Sequence, residues 1–207
     1  MQITIFGASG KVGSLVVEEA LRRGFSVIAF VHSHDMFVPS NKLRVVKGDI
    51  YNEADVQDAI KGSAAVVSCL GSWGTKHRNV LASAMRAIIP AMEHQKIGRI
   101  VTLTGSGAAA PSAKPGVAHS ALLKLLTPFP AGKVFRDGEE HMKLLAASNL
   151  GWTTLRSPIM TSGNKTKYRL TLKSGSLTIP RAAVATALLD QLDNKDYLHQ
   201  TPIISGV

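Results

Sequence analysis

The chain has 207 residues, 45% of them hydrophobic and 18% charged, which excludes a disordered chain and favours one core over two. Its 24 Lys and Arg residues against 14 Asp and Glu residues give a formal net charge of +10. This charge attracts anionic or phosphorylated partners but says nothing about the fold. No stretch of about 18 uninterrupted apolar residues occurs, so the sequence predicts no membrane span.

Strand and helix patterns alternate along the chain. Short apolar runs predict six strands, at 3–6, 25–31, 43–46, 64–68, 99–103 and 151–155. Apolar residues at helical spacing predict helices at 11–23, 53–60, 80–94 and 134–148, the third of them bent or shortened by Pro90. This alternation predicts an α/β fold, a doubly wound Rossmann domain with a mainly parallel sheet. We expect residues 1–207 to form this single domain.

Two segments depart from the alternation. Residues 105–132 are rich in Gly, Ala, Pro and Ser, with a short helical pattern at 118–126. Two interpretations of this segment stay open, a substrate loop or lid and a simple surface excursion. The C-terminal part predicts a small extension on the substrate side, made of strands at 168–172 and 177–179, a helix opened by Pro180 and an edge strand at 203–204.

A glycine-rich turn follows the first predicted strand. Gly7, Gly10 and Gly13 have the spacing G-x-x-G-x-x-G directly before an amphipathic helix. The first glycine permits the tight turn, the second lets a pyrophosphate approach the backbone, and the third lets the helix pack closely. The helix N-terminus offers free N–H groups and the positive end of its dipole to phosphates. The motif therefore predicts dinucleotide binding by Gly7, Ser9, Gly10, Lys11 and Val12.

The end of the second predicted strand bears on the choice of cofactor. NAD-binding chains carry an acidic residue there, about 20 residues after the motif, which bonds the ribose hydroxyls. Here the strand ends in Val-His-Ser-His, and Asp35 comes late. We therefore predict NADP(H), with NAD(H) as the alternative. His32, His34 and Lys11 are the predicted cations near the 2′-phosphate, although His32 and His34 also suit an ordinary exposed loop.

These features resemble the atypical short-chain dehydrogenase/reductases, in particular their NmrA-like and biliverdin reductase B (flavin reductase) branch, over nearly the whole chain. The residues that carry the resemblance are the phosphate loop 6–13, Asp49-Ile50, Cys69-Leu70-Gly71 and Arg156-Ser157-Pro158-Ile159. The resemblance implies that Asp49 and Ile50 meet the adenine and that Cys69, Leu70 and Gly71 line the adenosine and ribose side. It also implies that the backbone of Arg156, Pro158 and Ile159 meets the nicotinamide, and that His32 replaces the usual 2′-phosphate arginine.

The chain departs from short-chain dehydrogenases at their catalytic pair, Tyr-x-x-x-Lys, in which the tyrosine donates the proton. Three tyrosines occur, and none has Lys four residues on: Tyr51, Tyr168 and Tyr197. The biliverdin reductase B branch does without the pair and has a serine just after the fifth strand. This chain has Gly105 there, flanked by Thr104 and Ser106. Thr104 and Ser106 are therefore candidates to orient a substrate, and both also suit a polar turn.

Other residues have weaker signals. Trp73, His77 and Arg78 follow the fourth strand, where ligands bind in doubly wound sheets, and would suit an anionic or a planar substrate. Cys69, the only cysteine, is interpreted as a wall of the adenine pocket rather than a nucleophile. Glu139, Glu140 and His141 are interpreted as helix surface, and because they lack the spacing of zinc ligands, we predict no metal site.

Two functions of different classes stay open. The first is an NAD(P)H-dependent oxidoreductase that reduces a flavin, a quinone or a similar carbonyl compound, with solvent supplying the proton. The second is a non-catalytic, redox-sensing NADP(H)-binding regulator of NmrA type, which would have a protein partner. The lone cysteine and the lack of a signal peptide predict a cytoplasmic protein. Sparse aromatic residues and the absence of a dense Lys/Arg run favour a small-molecule partner over nucleic acid.

Overall fold

A computed structural model describes residues 1–33, 37–73, 75, 77–111, 130–173 and 175–207. The strands in this part of the chain are β1 Gln2–Phe6, β2 Ser26–Val31, β3 Leu43–Lys47, β4 Ala65–Ser68, β5 Arg99–Gly105, β6 Gly151–Ser157, β7 Ile159–Thr161, β8 Tyr168–Thr171, β9 Thr178–Pro180 and β10 Ile203–Gly206. The helices are α1 Gly13–Arg22, α2 Glu53–Ile60, α3 Val80–His94, α4 Pro130–Ala146 and α5 Arg181–Asp190. No helix in the described ranges is long and apolar enough to cross a membrane.

The main sheet has the strand order β3-β2-β1-β4-β5-β6-β10-β8. Neighbouring strands are parallel except for the antiparallel pair β10 and β8. Because chain order reverses between β1 and β4, the crevice beyond their carboxyl ends is the topological switch point at which such sheets bind ligands. The predicted doubly wound α/β fold is confirmed, and β7 and β9 form a separate two-stranded parallel sheet.

Helices cover the sheet on both faces and create two cores. On one face α1 and α5 pack on alternate strand residues such as Ile5 and Leu103. On the other face α2, α3 and α4 pack on residues such as Phe6 and Ile100. Each such fully buried side chain contributes about 1.5–3 kcal/mol, and burial of both strand faces explains why the strands are continuously apolar in sequence.

Two details of the sequence prediction differ from the structure. The strand at Ile203–Ile204 is not an edge strand, because β8 pairs with its outer side and leaves Ile204 fully buried. Helix α3 has the predicted bounds and is not shortened by Pro90, which lies inside it. Strand β7 is absent from the prediction, since three residues are too few to show periodicity. The helical pattern at 118–126, and most of the segment 105–132, lie outside the described residues.

Candidate functional site

The glycine loop between β1 and α1 is tightly constrained. Gly7 has φ +72, and a Cβ there would lie 3.0 Å from the backbone nitrogen of Leu70. A Cβ on Gly13 would lie 2.8 Å from the Ala8 Cα and closer still to the Gly7 carbonyl oxygen. The Gly10 N–H donates to that same carbonyl at 3.0 Å. Any side chain at position 7 or 13 would therefore push the loop away from the strand ends.

This loop fits a pyrophosphate. Gly10 is exposed, and a Cβ there would meet only the Gly7 carbonyl oxygen, at 3.2 Å, so its outer side is open. In the described chain no side chain caps the N-terminus of α1, whose N-cap residue is Val12. The open amides and the helix dipole are therefore available to an anion. Ser9 and Lys11 flank the same opening, Ser9 half-buried and Lys11 exposed.

The turn after β3 holds Asp49 and Ile50 in place. The Asp49 N–H donates to the Asp55 carboxylate at 2.8 Å, and the Asp49 carboxylate accepts from the Tyr51 N–H at 3.0 Å. A Cβ on Gly48 would lie 2.8 Å from the Phe30 ring, so this turn packs directly on β2. Asp49 stays half-buried beside the crevice while Ile50 is buried.

Cys69 and the two residues after it form the wall between the glycine loop and the interior. Burial raises the pKa of the Cys69 thiol to about 12, so the thiolate, the nucleophilic form, is scarce at neutral pH. This agrees with its interpretation as a wall. Leu70 is half-buried and Gly71 exposed, at the carboxyl end of β4.

The region beyond β2 contains cations on neighbouring elements. His32 is exposed directly after β2, whereas His34 and Asp35 lie outside the described residues. Lys47 ends β3, is paired in register with Val31 and is exposed. The sequence prediction missed Lys47, because only the strand order shows that β3 lies beside β2.

A cavity of about 500 Å³ opens at the carboxyl ends of β4, β5 and β6. It brings together residues predicted separately for the cofactor and for the substrate. Its lining consists of Leu70, Gly71, Ser72, Trp73, Leu81, Leu103, Thr104, Gly105, Ser106, Gly107, Val134, Phe135, Ser157, Pro158, Ile159 and Met160. Apolar side chains dominate, and Ser72, Thr104, Ser106 and Ser157 are the hydroxyl-bearing residues of this described lining, a balance typical of small-molecule sites.

Ser106 is fixed in this cavity through its backbone. Its N–H donates to the Ser157 carbonyl at 2.8 Å, and its carbonyl accepts from the Arg156 guanidinium at 2.9 Å. Its hydroxyl has no hydrogen-bond partner among the described residues. The Arg156 side chain therefore holds the loop after β5. Burial lowers the pKa of this guanidinium.

Thr104 is less accessible to a ligand than Ser106. It is only 6% exposed, and a Cβ on Gly138 of α4 would overlap the Thr104 hydroxyl oxygen. The close approach of α4 covers this hydroxyl. Of the two predicted catalytic residues, Ser106 is therefore the more accessible to a ligand.

Asp137 of α4 supports the cavity wall. Its carboxylate accepts from the backbone N–H groups of Leu81 and Ala82, at 3.0 and 2.9 Å, and from the Ser72 hydroxyl. It therefore caps α3 in place of a local residue, and it ties α3 and α4 to the loop after β4. Sequence reasoning missed this role, because helix caps are normally sought within a few residues.

The interpretation of 139–141 as helix surface is wrong for His141. Glu140 is exposed and pairs with Arg86 at 3.1 Å. His141 is 0% exposed, and neither ring nitrogen has a hydrogen-bond partner among the described residues. Burial lowers its pKa to about 3, so it is neutral at physiological pH. Its spacing of four residues from both Asp137 and Leu145 was the available signal, since both are buried.

The three residues singled out after β4 separate in the structure. Trp73 is 60% exposed and lines the cavity. Arg78 donates to the Ser72 carbonyl at 3.1 Å. His77 is exposed, and its ring lies edge-on to that of Tyr51, with 5.6 Å between centroids. Of the three, only Trp73 reaches the cavity.

Comparison with known proteins agrees with this geometry. A family model described as NAD(P)H-binding matches residues 7–195, beginning at the first glycine of the loop. The chain belongs to this NAD(P)H-binding family. Over 213 aligned residues it is 28% identical to the uncharacterized protein YwnB of Bacillus subtilis, which covers 97% of this chain and 96% of YwnB.

Solved structures with the same fold include two relevant examples. A short-chain dehydrogenase/reductase from Veillonella parvula in complex with NADP matches with a TM-score of 0.77 at 18% identity, over 99% of this chain and 94% of that one. ChuY, an anaerobillin reductase from Escherichia coli O157:H7, matches with a TM-score of 0.75 at 21% identity, over 99% and 97%. These structures share the predicted fold, which the resemblance to short-chain dehydrogenase/reductases also implied.

Membership of the NAD(P)H-binding family agrees with the uncapped helix N-terminus that follows the glycine loop. The chain binds a nicotinamide cofactor, and the family match spans the loop, the turn after β3 and the walls of the cavity. The crevice at the switch point and the cavity adjoin at Leu70, whose backbone nitrogen lies against Gly7 of the loop and which also lines the cavity.

Proposed function

We propose that the protein is an NADPH-dependent reductase of small, easily reduced acceptors, such as a flavin, a quinone or a similar carbonyl compound. One observation carries this proposal. A mostly apolar cavity with an unpartnered Ser106 hydroxyl adjoins the dinucleotide crevice at the carboxyl edge of the sheet. A reductase needs such a space, where the acceptor can lie beside the nicotinamide.

The protein's own contribution is binding and orientation. When bound, the cofactor supplies the hydride. The glycine loop and the N-terminus of α1 hold the pyrophosphate, and Asp49 with Ile50 receives the adenine. The backbone around Pro158 supports the nicotinamide side, and the Ser106 hydroxyl donates a hydrogen bond to the acceptor oxygen. The apolar walls exclude water from the reacting face.

The positions of the tyrosines favour acceptors that need no protein acid. All three tyrosines are described, and none lines the cavity. The Tyr168 hydroxyl donates to Asp190 at 2.6 Å, and the Tyr197 hydroxyl donates to the Leu170 carbonyl at 3.3 Å. Tyr51 lies at the turn after β3. Quinones and flavins suit this arrangement, because solvent can protonate their reduced forms.

Preference for NADPH over NADH rests on the exposed cations around the end of β2. Lys11, His32 and Lys47 come from three neighbouring elements and carry no described ion pair. Positive groups there would stabilise a 2′-phosphate, and in the described chain no carboxylate stands directly after β2 to bind ribose hydroxyls instead.

The test is a titration of the purified protein with NADPH and NADH, followed by nicotinamide fluorescence. A flavin and a quinone are then added to the complex. We expect tighter binding of NADPH, followed by its oxidation with at least one acceptor. Binding without oxidation would contradict the reductase and favour the redox-sensing regulator. Lack of binding would contradict both.

A further inference from the structure

The described lining of the cavity is uncharged although the protein is strongly basic. The net charge is +10, yet no charged side chain occurs among the described residues that line the cavity. The polar groups of this lining are hydroxyls, backbone and the Trp73 indole N–H, and the rest is aliphatic or aromatic. The surface charge would draw anions to the protein, but the described lining offers them no charged partner.

Two arginines hold the loops that form the cavity, but neither lines it. The Arg78 guanidinium donates to the Ser72 carbonyl at 3.1 Å, and the Arg156 guanidinium donates to the Ser106 carbonyl at 2.9 Å. Both carbonyls belong to loops that form the cavity, so these arginines hold the loops without contributing a side chain to the described lining. An anionic group in the cavity would lose its hydration without an ion pair from any described lining residue, which is costly.

The rim of the cavity carries two exposed apolar side chains. Trp73 is 60% exposed after β4, and Ile159 is 72% exposed after β6. Because β5 lies between β4 and β6, these side chains flank the loop that carries Ser106. A flat ring that enters between them gains stacking on the indole and can reach the Ser106 hydroxyl with a carbonyl oxygen.

We propose that this cavity accepts the uncharged, planar ring of a carbonyl-bearing acceptor, and that Trp73 is its specificity-determining residue. The proposal rests on the proposed function only where it calls this ring the hydride acceptor. For a quinone, hydride transfer and one solvent proton give the hydroquinone and the oxidised cofactor. Of the two substrate classes that Trp73, His77 and Arg78 would suit, anionic and planar, we thereby propose the planar one.

The kinetic test compares naphthoquinone with its sulfonate at low ionic strength and saturating NADPH. We expect kcat/KM for the sulfonate to be lower by about tenfold or more, since its charge must be desolvated without a partner. Attraction to a basic protein and the electron-withdrawing sulfonate would both act in the opposite direction. Equal or faster reduction of the sulfonate would overturn the proposal.

A binding test separates this proposal from the reductase itself. Calorimetry on the protein loaded with oxidised cofactor compares naphthol with naphthalene sulfonate, neither of which is reduced. We expect naphthol to bind more tightly, and Trp73→Ala to weaken it by about tenfold while Trp73→Phe retains most of the affinity. Leu172→Ala is the matched control, because Leu172 is 56% exposed and does not line the cavity.

The kinetic and binding tests together distinguish failure of the reductase proposal from failure of the proposed ligand class. If naphthol binds in a Trp73-dependent way but no quinone is reduced, the reductase proposal fails and the ligand class stands. If quinones are reduced but the sulfonates bind equally well, the reductase stands and the ligand class fails. Absence of binding by either ring, or no effect of Trp73→Ala, also overturns the proposed ligand class.

Discussion

The two ends of β5 differ in how their polar groups are used. At the amino end, the Arg99 guanidinium donates to the Gly151 carbonyl at 2.8 Å, to the Thr153 hydroxyl at 2.9 Å, and to the carbonyls of Gln191 and Leu192 that end α5. Burial lowers its pKa to about 10, so it stays charged at neutral pH. At the carboxyl end, Ser106 lines the cavity and its hydroxyl has no partner among the described residues.

This difference separates structural from functional polarity. Buried polar groups are normally hydrogen-bonded within a protein, so a saturated cluster such as that of Arg99 is accounted for by stability. A hydroxyl left unpaired in a concave, mostly apolar site is available to a ligand. Substitutions at the two ends should therefore have separable effects on stability and on binding.

The largest effect is expected where the glycine loop meets the carboxyl edge. Gly13→Val should reduce NADPH affinity by about a hundredfold or more, because a side chain there overlaps the Gly7 carbonyl and closes the pyrophosphate cradle. Nicotinamide fluorescence measures the affinity, and circular dichroism checks the fold. Gly98→Ala is the control, since a Cβ at Gly98 meets nothing within 4 Å. Unchanged affinity in Gly13→Val would mean that the loop is not the phosphate site.

At the amino end of β5, Arg99→Met should lower the free energy of unfolding by about 2–3 kcal/mol. The substitution removes the hydrogen-bond donor of the Gln191 and Leu192 carbonyls at the end of α5. The Kd for NADPH should stay unchanged. Urea denaturation measures the first quantity and titration the second. Arg86→Met, which removes only the exposed pair with Glu140, should cost less than about 1 kcal/mol. A loss of cofactor affinity in Arg99→Met would contradict the separation of stability, at the amino end of β5, from binding, at its carboxyl end.

The buried side chain of His141 in α4 makes the free energy of unfolding depend on pH. Its folded pKa of about 3 lies below its ordinary value of 6.5, so the unfolded chain takes up a proton that the folded chain refuses. This contribution to stability is complete above about pH 6.5 and declines as the pH falls toward about 3, by at most about 1.4 kcal/mol per pH unit.

His141→Phe should flatten this decline, which urea denaturation at a series of pH values would measure. His94→Gln, which changes an exposed histidine, should leave the decline as it is. If His141→Phe and the unaltered protein lost stability in parallel, another group would have to be responsible.

The smallest effect is expected for Ser106. Ser106→Ala should lower kcat by about tenfold, which is the value of one hydrogen bond to the acceptor, and leave both stability and the Kd for NADPH unchanged. Arg156→Lys should show a milder loss of kcat, because Arg156 acts only by holding the Ser106 carbonyl. Steady-state kinetics with a neutral quinone measures both variants. An undiminished kcat in Ser106→Ala would mean that the Ser106 hydroxyl does not orient the acceptor.

The sequence alone predicted those features that depend on residues close together in the chain. Helix α2 begins and ends where the apolar spacing predicts, and the strand before the glycines needs only a short apolar run. The three glycines predicted a turn and a phosphate cradle, because close backbone contacts leave no room for side chains. Long-range features were less accessible. Lys47, the Asp137 cap and the burial of His141 each depend on which elements become neighbours.

The amino-acid sequence by itself determined the α/β alternation, the glycine loop before α1 and the residues from which a site could be built, since these follow from periodicity and from backbone sterics. The tertiary structure alone decided that β10 lies inside the sheet, that α4 covers Thr104 and leaves Ser106 open, and that Trp73 rather than Arg78 faces the cavity. Those outcomes depend on strand order and helix packing, which bring together residues that are far apart in the chain.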